Sequence, residues 1–286
     1  MDFQIRKMVR KDLAKVIDWA AQEGWNPGLH DLNAFFDTDP TGFLVGVLNG
    51  EVIGSVSVVR YDDSFGFLGF YIVKPEHRGK GYGIKIWQAG MDYLHGCNVG
   101  LDGVVEQQNN YKKSGFEYAY ANIRFQGCGG NRNQSIGKQC NDPAVSEYSS
   151  EMFDSLLAFD RNYFPVARTG FLKAWLNLPE SRAFVHRAGE EVTGYGMIRK
   201  CREGYKIGPL FSTTPEVAEA LYLALKANVA ESESIYLDVP AINHHGMALA
   251  QKYNMTEVFE TARMYTKSTP DINLDGVFGV TSFELG

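Results

Sequence analysis

Residues 70–94 read FYIVKPEHRGKGYGIKIWQAGMDYL, and this stretch decides the fold. Phe70 to Val73 is an apolar run with the residue types of a β-strand, and Pro75 ends its hydrogen bonding because proline has no N–H. Residues 77–83 then supply positive charge and three glycines at alternate positions. From Ile84 onward, apolar residues recur at spacings of three and four, which predicts a helix. The inner face of this helix is predicted to carry Ile84, Trp87, Met91 and Leu94.

A glycine-rich turn that opens a helix suits a phosphate group. Glycine lets the backbone approach a ligand closely, and the first N–H groups of a helix have no partner inside it. Arg78 and Lys80 add positive charge. The Gly-Lys-Ser/Thr ending of nucleotide-triphosphatase loops is absent, and the glycines run GxGxG, whereas dinucleotide-binding folds have GxGxxG.

The segment 73–83, VKPEHRGKGYG, resembles the acetyl-CoA motif of the GNAT superfamily of N-acetyltransferases, because strand, proline, arginine, glycines and helix follow in that order. The elements predicted between residues 3 and 126 also have the order of one GNAT domain. The resemblance therefore implies a mixed, mostly antiparallel sheet flanked by helices. It also implies acetyl-CoA as the acyl donor.

The second half of the chain repeats the first at a shift of about 140 residues. Residues 49–54, NGEVIG, match residues 189–194, GEEVTG. The repeat fails at the glycine turn, because residues 78–83 (RGKGYG) face residues 218–223 (AEALYL), which predict a plain amphipathic helix. We therefore expect an α/β (α+β) protein of two tandem GNAT-like domains, of which the second has lost its coenzyme site.

This repeat predicts that the chain divides into three parts. Residues 1–127 are predicted to be the catalytic, acetyl-CoA-binding GNAT domain. Residues 128–142 are predicted to be a linker, because they are rich in Gly, Asn, Gln and Ser. Residues 143–286 are predicted to be a degenerate GNAT-like domain that lines the acceptor site or forms an interface. Its closing segment, 277–285, is expected to be an edge or inter-domain strand.

The resemblance also implies where the coenzyme binds. The pantetheine would pair with backbone groups of Ile72 and Val73 on the fourth strand. The pyrophosphate would bind the N–H groups of Arg78, Gly79, Lys80, Gly81, Tyr82 and Gly83. The family's usual asparagine is replaced here by Val104, so Asn110 is expected to reach the coenzyme instead. The alternative for Asn110 is an exposed helix amide.

Tyr111 is the predicted proton donor. Residues 111–116, YKKSGF, match the family's Tyr-x-x-x-Gly-Phe motif, which implies that Tyr111 faces the coenzyme sulfur. A phenol with a pKa near 10 is protonated at pH 7 and can donate to a thiolate. The alternative is a tyrosine packed between helix and sheet. The fourth strand has no acidic residue, so Glu106 is the candidate general base. The alternatives are that Glu106 is only a carboxylate at a helix N-terminus, or that a chain of water molecules removes the proton.

Trp25, Asn26 and Asp238 are the predicted acceptor residues. The acceptor pocket of the family usually lies near the turn that contains Trp25 and Asn26, and an aromatic ring beside carboxylates suits a cationic amine. Asp238 would contribute from the second half. The alternative for Trp25 is a ring that covers the core. The alternative for Asp238 is an Asp–His cap that binds no ligand.

Composition excludes several functional classes. The 286 residues suit two domains, and the net charge of −6 argues against a nucleic-acid partner. No run of about 18 apolar residues is present, which predicts no membrane span, and the N-terminus lacks the apolar core of a signal peptide. The four widely spaced cysteines predict no metal site and a reducing, cytoplasmic compartment.

The sequence therefore predicts an N-acetyltransferase that moves an acetyl group directly from acetyl-CoA to a primary amine, either a small molecule or a lysine side chain. The alternative is a non-catalytic module that binds or senses an acyl-CoA. Longer acyl donors and the oligomeric state stay open.

Overall fold

The computed structural model describes residues 2–130 and 142–286, so most of the predicted linker at 128–142 lies outside the described residues. The described residues contain thirteen strands and eight α-helices. The strands of the first half are β1 (Phe3–Lys7), β2 (Phe43–Leu48), β3 (Glu51–Arg60), β4 (Phe65–Val73), β5 (Asn98–Val104) and β6 (Glu117–Cys128). Those of the second half are β7 (Val145–Glu147), β8 (Ser181–Ala188), β9 (Glu191–Lys200), β10 (Tyr205–Ser212), β11 (Ser234–Pro240), β12 (Thr256–Tyr265) and β13 (Val277–Gly279). The helices are α1 (Arg10–Gln22), α2 (Asp31–Thr38), α3 (Tyr82–Tyr93), α4 (Gln108–Lys113), α5 (Phe153–Asp160), α6 (Thr169–Trp175), α7 (Pro215–Lys226) and α8 (His244–Lys252).

All these strands belong to one mixed sheet in the order β1-β2-β3-β4-β5-β12-β6-β11-β10-β9-β8-β7, with β13 on β10. The pairs β4–β5 and β10–β11 are parallel, and the other pairs are antiparallel. The order of strands from β1 inward matches that from β7 inward, as the sequence repeat requires. The predicted α/β fold with two GNAT-like halves is therefore confirmed.

The two halves exchange their last strands. β5 pairs with β12 from the second half, and β11 pairs with β6 from the first half. The pairing of β6 with β12 then joins both halves into the continuous sheet. The sequence did not predict this exchange. Since β6 and β12 are related by the repeat, either strand satisfies the hydrogen bonds and apolar pattern of either position.

Each exchanged strand carries a buried ion pair to its host half. Arg124 on β6 donates from Nε and Nη2 to the two carboxylate oxygens of Asp238 on β11, at 2.7 and 2.8 Å. Arg263 on β12 makes the equivalent pair with Asp102 on β5, at 2.9 and 2.6 Å. Bidentate, charge-assisted hydrogen bonds of this kind are stronger than neutral ones and hold the two side chains in one geometry. The ion pairs therefore fix both strands in the exchanged position.

Helices of both halves share a central core. It contains apolar side chains of α1, α2, α5 and α6, and the Phe35 ring on α2 stacks on the Trp175 ring on α6 at 5.6 Å. α3 packs on the opposite face of the first half through Ile86, Trp87 and Leu94. The prediction that Ile84 faces this core is wrong, because its side chain is exposed where α3 borders an open cleft.

The closing segment of the chain fills a gap in the second half. β10 and β11 pair only from Tyr205 to Ile207 and then separate. β13 lies in this gap, paired with Leu210 and Phe211 of β10, and the N–H of Val280 donates to the carbonyl of Asp238 at 2.8 Å. The expectation of an edge or inter-domain strand over 277–285 is therefore wrong, because the strand covers only Val277–Gly279 and lies between two strands of the second half.

No helix in the described part of the chain has the length and apolar character needed to cross a membrane.

Candidate active site

The strands β4 and β5 separate halfway along their length. They pair from Phe65 to Leu68 and diverge beyond Leu68, although β4 stays paired with β3 as far as Val73. Phe70 marks the change of direction with a φ of 44°, and Ser55 Oγ donates to its carbonyl at 2.8 Å. In the second half β13 occupies the corresponding gap. In the first half the gap is open and leaves one backbone edge of β4 facing a cleft.

The glycine turn forms the wall of this cleft beside α3. Gly79 and Gly81 have φ values of 73° and 82°, and a Cβ added to either would meet nothing within 4 Å. No side chain caps the N-terminus of α3, whereas Thr214 Oγ1 caps α7 by accepting from the N–H of Val217 at 3.4 Å. The first turn of α3 therefore presents N–H groups to open space, as an anion site requires.

The cleft has a volume of about 640 Å³ and brings together most of the residues predicted to bind the coenzyme. Those that line it are Ile72, Val73, Arg78, Gly79, Gly81 and Gly83. Arg78 donates to the carbonyl of Val73 at 2.7 Å and pairs with Glu23 at 2.5 Å. Lys80 and Tyr82 are not among the lining residues. Lys80 donates to the carbonyl of Glu76 at 2.7 Å, and the Tyr82 ring packs on Phe3 at 4.9 Å.

The structure does not bring Asn110 to the cleft. This residue is exposed on α4, and its side-chain amide donates to Gln107 Oε1 at 2.7 Å. One turn earlier, Glu106 lies at the rim of the cleft and is exposed. Asn110 directly precedes Tyr111 on α4, and neighbouring residues of a helix point about 100° apart, so the helix that turns Tyr111 toward the cleft turns Asn110 away from it.

Tyr111 lies where the cleft meets the separation of β4 and β5. Its ring stacks on Trp87 at 5.7 Å, and a Cβ added to Gly103 would lie 2.1 Å from Tyr111 Cε2, so glycine at position 103 makes room for the ring. Burial raises the pKa of Tyr111 to about 12. The phenol is therefore protonated throughout the neutral range.

A smaller cavity of about 40 Å³ adjoins the cleft and shares Trp25, Tyr71, Val104, Tyr111 and Phe259 with it. Four of its lining residues come from the second half: Phe259, Thr261, Phe283 and Glu284. Sequence reasoning missed all four. No local motif marks them, because they reach the first half only through the exchanged β12 and the closing segment. The retention of an arginine at the repeat-related positions 124 and 263 was the one available signal for the exchange.

Of the predicted acceptor residues, only Trp25 lines the cavity. Asn26 instead links the halves, because its amide exchanges two hydrogen bonds with the backbone of Glu203, at 2.9 and 3.0 Å. Asp238 is 1% exposed and lines neither cleft nor cavity. Its carboxylate is held by Arg124, which donates to both oxygens, and it does not reach the space where an amine would bind.

Comparisons with known proteins agree with this architecture. The model of the "Acetyltransferase (GNAT) family" matches residues 10–116, and that of the "Acetyltransferase (GNAT) domain" matches residues 156–279. A curated relative, holothin acyltransferase of Pseudoalteromonas sp. (strain SANK 73390), is 34% identical over 271 residues, which cover 95% of this chain and 90% of that protein.

Two solved structures share the fold. A candidate acetyltransferase from Pyrococcus horikoshii superposes with a TM-score of 0.82 at 19% identity, over 99% of this chain and 96% of the other. A tandem GNAT protein from the clavulanic acid biosynthesis pathway superposes with a TM-score of 0.62 at 12% identity, over 94% and 100%. Together with the open strand edge, the glycine turn and the matching relative, these findings show that the chain belongs to the GNAT superfamily of acyltransferases, with two GNAT domains in tandem and an acyl-CoA as donor.

Proposed function

We propose that this protein moves an acetyl group from acetyl-CoA to a primary amine by direct transfer, and that the first half carries out the chemistry. One observation carries the proposal. The unpaired edge of β4, the open turn at Gly79 and Gly81, and Tyr111 all border one cleft. The second half has no such combination, since β13 fills its gap and α7 is capped by Thr214.

The cleft fits the chemical parts of an acyl-CoA. A pyrophosphate is a multiply charged anion, and the uncapped first turn of α3 offers N–H groups and the positive end of a helix dipole. The amide groups of a pantetheine arm match the unpaired backbone edge at Ile72 and Val73. An N–H group on this edge would also stabilise the negative charge that develops on a thioester oxygen.

Tyr111 is assigned the proton transfer. When the C–S bond of the thioester breaks, the thiolate takes the phenolic proton of Tyr111. Burial raises the pKa of Tyr111 to about 12, whereas a thiol has an ordinary pKa of about 8.5. Complete transfer to the sulfur alone is therefore uphill. It becomes favourable when the phenolate recovers a proton from the new, positively charged amide nitrogen, so that Tyr111 returns to its starting state.

Holothin is the first acceptor to test, since the 34% identical relative is named as its acyltransferase. Phe259 lines both the cleft and the cavity, and its ring on the side of the cleft suits an acceptor with an apolar, flat body. A panel of holothin, tyramine, spermidine, glucosamine and a lysine peptide separates the main amine classes. Release of coenzyme A, measured with acetyl-CoA and with a longer acyl-CoA, identifies donor and acceptor together.

Gly81→Glu is expected to weaken acetyl-CoA binding at least tenfold, because it places a carboxylate in the anion site and forces a side chain onto a φ of 82°. Isothermal calorimetry on wild type and variant measures the effect. Gly96→Glu is the matched control: Gly96 has a φ of 92° and open space around it, and it lies outside the cleft. The Gly96→Glu variant therefore carries the same added charge as Gly81→Glu and a similar backbone strain.

We expect the Gly96→Glu variant to bind acetyl-CoA as the wild type does. Failure of the wild type to bind acetyl-CoA would contradict the proposed function. Equal binding by the wild type and the Gly81→Glu variant would contradict the assignment of the anion site.

A further inference from the structure

The closing segment of the chain carries a carboxylate into the first half's active site. After β13 and Val280, it passes behind the end of β11, and Phe283 and Glu284 reach the cavity beside Tyr111. A Cβ added to Gly69 on β4 would lie 2.2 Å from the carbonyl oxygen of Glu284, so the backbones of the two residues are in direct contact. Glu284 therefore lies next to the point where β4 and β5 separate.

The Glu284 side chain is buried without a partner. The residue is 4% exposed, and its carboxylate makes no hydrogen bond and no ion pair with any residue in 2–130 or 142–286. Other buried carboxylates of the described chain have partners. Five form ion pairs, namely Asp12 with Arg6, Asp31 with Arg199, Asp102 with Arg263, Asp160 with Arg168 and Asp238 with Arg124, and Asp39 accepts hydrogen bonds from the Tyr93 hydroxyl and the N–H of Arg60. A buried carboxylate without a partner is costly, so its position beside a cavity calls for a ligand.

The charged groups around Glu284 balance when all are ionised, with three cations facing Asp31, Asp238 and Glu284. Asp31 on α2 accepts from Nε of Arg199 on β9, whereas Nη1 and Nη2 of Arg199 are buried without a hydrogen-bond partner among the described residues. Arg124 on β6 pairs with Asp238 on β11. Lys206 on β10 is the remaining cation near Glu284, and its Nζ donates to the carbonyl of Asn26 at 3.0 Å. Burial raises the pKa of Glu284 and lowers that of Lys206, so each charge is destabilised by its surroundings.

The cavity itself has the size and polarity of an amino group's site. Its volume of about 40 Å³ is on the order of one or two water molecules. Its lining also includes Thr261, whose buried hydroxyl has no hydrogen-bond partner among the described residues. Tyr111 borders the same space. An amino group in the cavity would therefore meet the carboxylate of Glu284 and a hydroxyl, with the proposed proton donor close by. Asp102 also lines the cavity, but both of its carboxylate oxygens accept from Arg263.

We propose that Glu284 receives the amino group of the acceptor and acts as the general base of the transfer. The inference rests on the proposed function and adds to it the residue that activates the acceptor. The carboxylate of Glu284 takes one proton from the ammonium group. The freed nitrogen lone pair forms the C–N bond to the thioester carbon, and the C–S bond breaks.

The remaining protons also balance. The leaving thiolate takes the proton of Tyr111, which recovers one from the amide nitrogen, and Glu284 releases its proton to solvent. One proton is thus released for each amide formed. Glu106, by contrast, lies on the exposed rim of the cleft and does not line the cavity.

The test compares Glu284→Gln, Glu284→Asp and Glu106→Gln in the full-length protein. Glu284→Gln keeps the size of the side chain and is expected to lower kcat at pH 7 by about 10²-fold. It should also abolish the fall of kcat/KM on the acid side of the pH profile, while acetyl-CoA affinity stays within about twofold of wild type. Glu284→Asp should restore part of the rate and the acid limb. Loss of the acid limb in Glu106→Gln, with Glu284→Gln unaffected, would overturn the assignment.

Asp31→Asn controls for loss of a buried charge in the same group of side chains. Asp31 is 1% exposed, pairs with Arg199 and does not line the cavity. We expect this variant to unfold at a lower urea concentration and to keep an acid limb, moved to lower pH because the charge of Asp31 raises the pKa of Glu284. If Asp31→Asn and Glu284→Gln change the pH profile in the same way, Glu284 has only a structural role.

A second measurement does not need turnover. Calorimetry follows the binding of holothin and of tyramine to wild-type and Glu284→Gln protein, each without coenzyme and saturated with coenzyme A. At least one of the two amines should bind the wild type, and its affinity for the variant should be at least tenfold lower. Equal affinities, or no binding to the wild type, would overturn the amine site. Absence of acetyl-CoA binding would instead count against the proposed function alone.

Discussion

Replacing Tyr111 with phenylalanine is expected to lower kcat by about 10²- to 10⁴-fold, the usual contribution of a positioned proton donor. The ring packs on Trp87 at 5.7 Å and against Gly103, and phenylalanine keeps both contacts. The variant therefore loses only the hydroxyl. Acetyl-CoA affinity, measured by calorimetry, should stay within about twofold of wild type, so the loss appears in kcat alone.

The pH profile adds a second check on Tyr111. Burial raises the pKa of its phenol to about 12, so the wild-type rate should not fall through loss of this proton below about pH 10. Tyr118→Phe is the control, because Tyr118 is half exposed on β6 and lies outside both cleft and cavity. A Tyr111→Phe variant with kcat within threefold of wild type would show that another group donates the proton.

Replacing Arg263 with methionine is expected to lower the free energy of unfolding by about 3–5 kcal/mol at pH 8, as for other buried ion pairs that lose one member. The change leaves Asp102 with the amide of Asn122, at 2.7 Å, as its remaining side-chain hydrogen bond. Urea unfolding at equilibrium measures the loss. The same substitution also tests the strand exchange, since Arg263 and Asp102 are 161 residues apart.

The sign of the pH dependence follows from Asp102. Burial already raises the pKa of this carboxyl, and removing Arg263 raises it further. An acid whose pKa is higher in the folded protein costs stability above its unfolded pKa of about 3.9. The Arg263→Met substitution should therefore lower the free energy of unfolding less at pH 5 than at pH 8.

The double variant Arg263→Met/Asp102→Leu provides the control for Arg263→Met. It replaces the ion pair with apolar side chains of similar size, so most of the lost stability should return. A single variant that unfolds at the same urea concentration as wild type would contradict the pairing of β5 with β12.

The sequence predicted the parts of the fold that short segments determine. Asn-Gly is a strong short-range signal for a hairpin, and Asn49-Gly50 forms the turn between β2 and β3, with φ values of 50° and 86° at the two residues. The glycine turn before α3 and the glycine-free helix α7 are also present as local patterns require. Ile84 was misplaced because periodicity finds an apolar residue but does not distinguish a buried core from the wall of a cleft.

Contacts between segments that are distant in the chain could not be predicted from the sequence. Repeat-related strands such as β6 and β12 have nearly interchangeable patterns, so the sequence does not specify which half each one joins. Glu284 has no motif around it, and its place beside Gly69 depends on the course of the whole closing segment. The part of the cavity that the second half lines was missed for this reason, whereas the glycine-turn wall of the cleft rests on one continuous motif.

The exchange of β6 and β12 has a consequence for biosynthesis. While the ribosome makes the chain, β5 has an open hydrogen-bonding edge until Thr256–Tyr265 have emerged. An open edge invites pairing with other nascent chains. The first half therefore completes its sheet only after β12 of the second half has been made, although its own glycine turn is translated much earlier. The two GNAT domains therefore form a single folding unit.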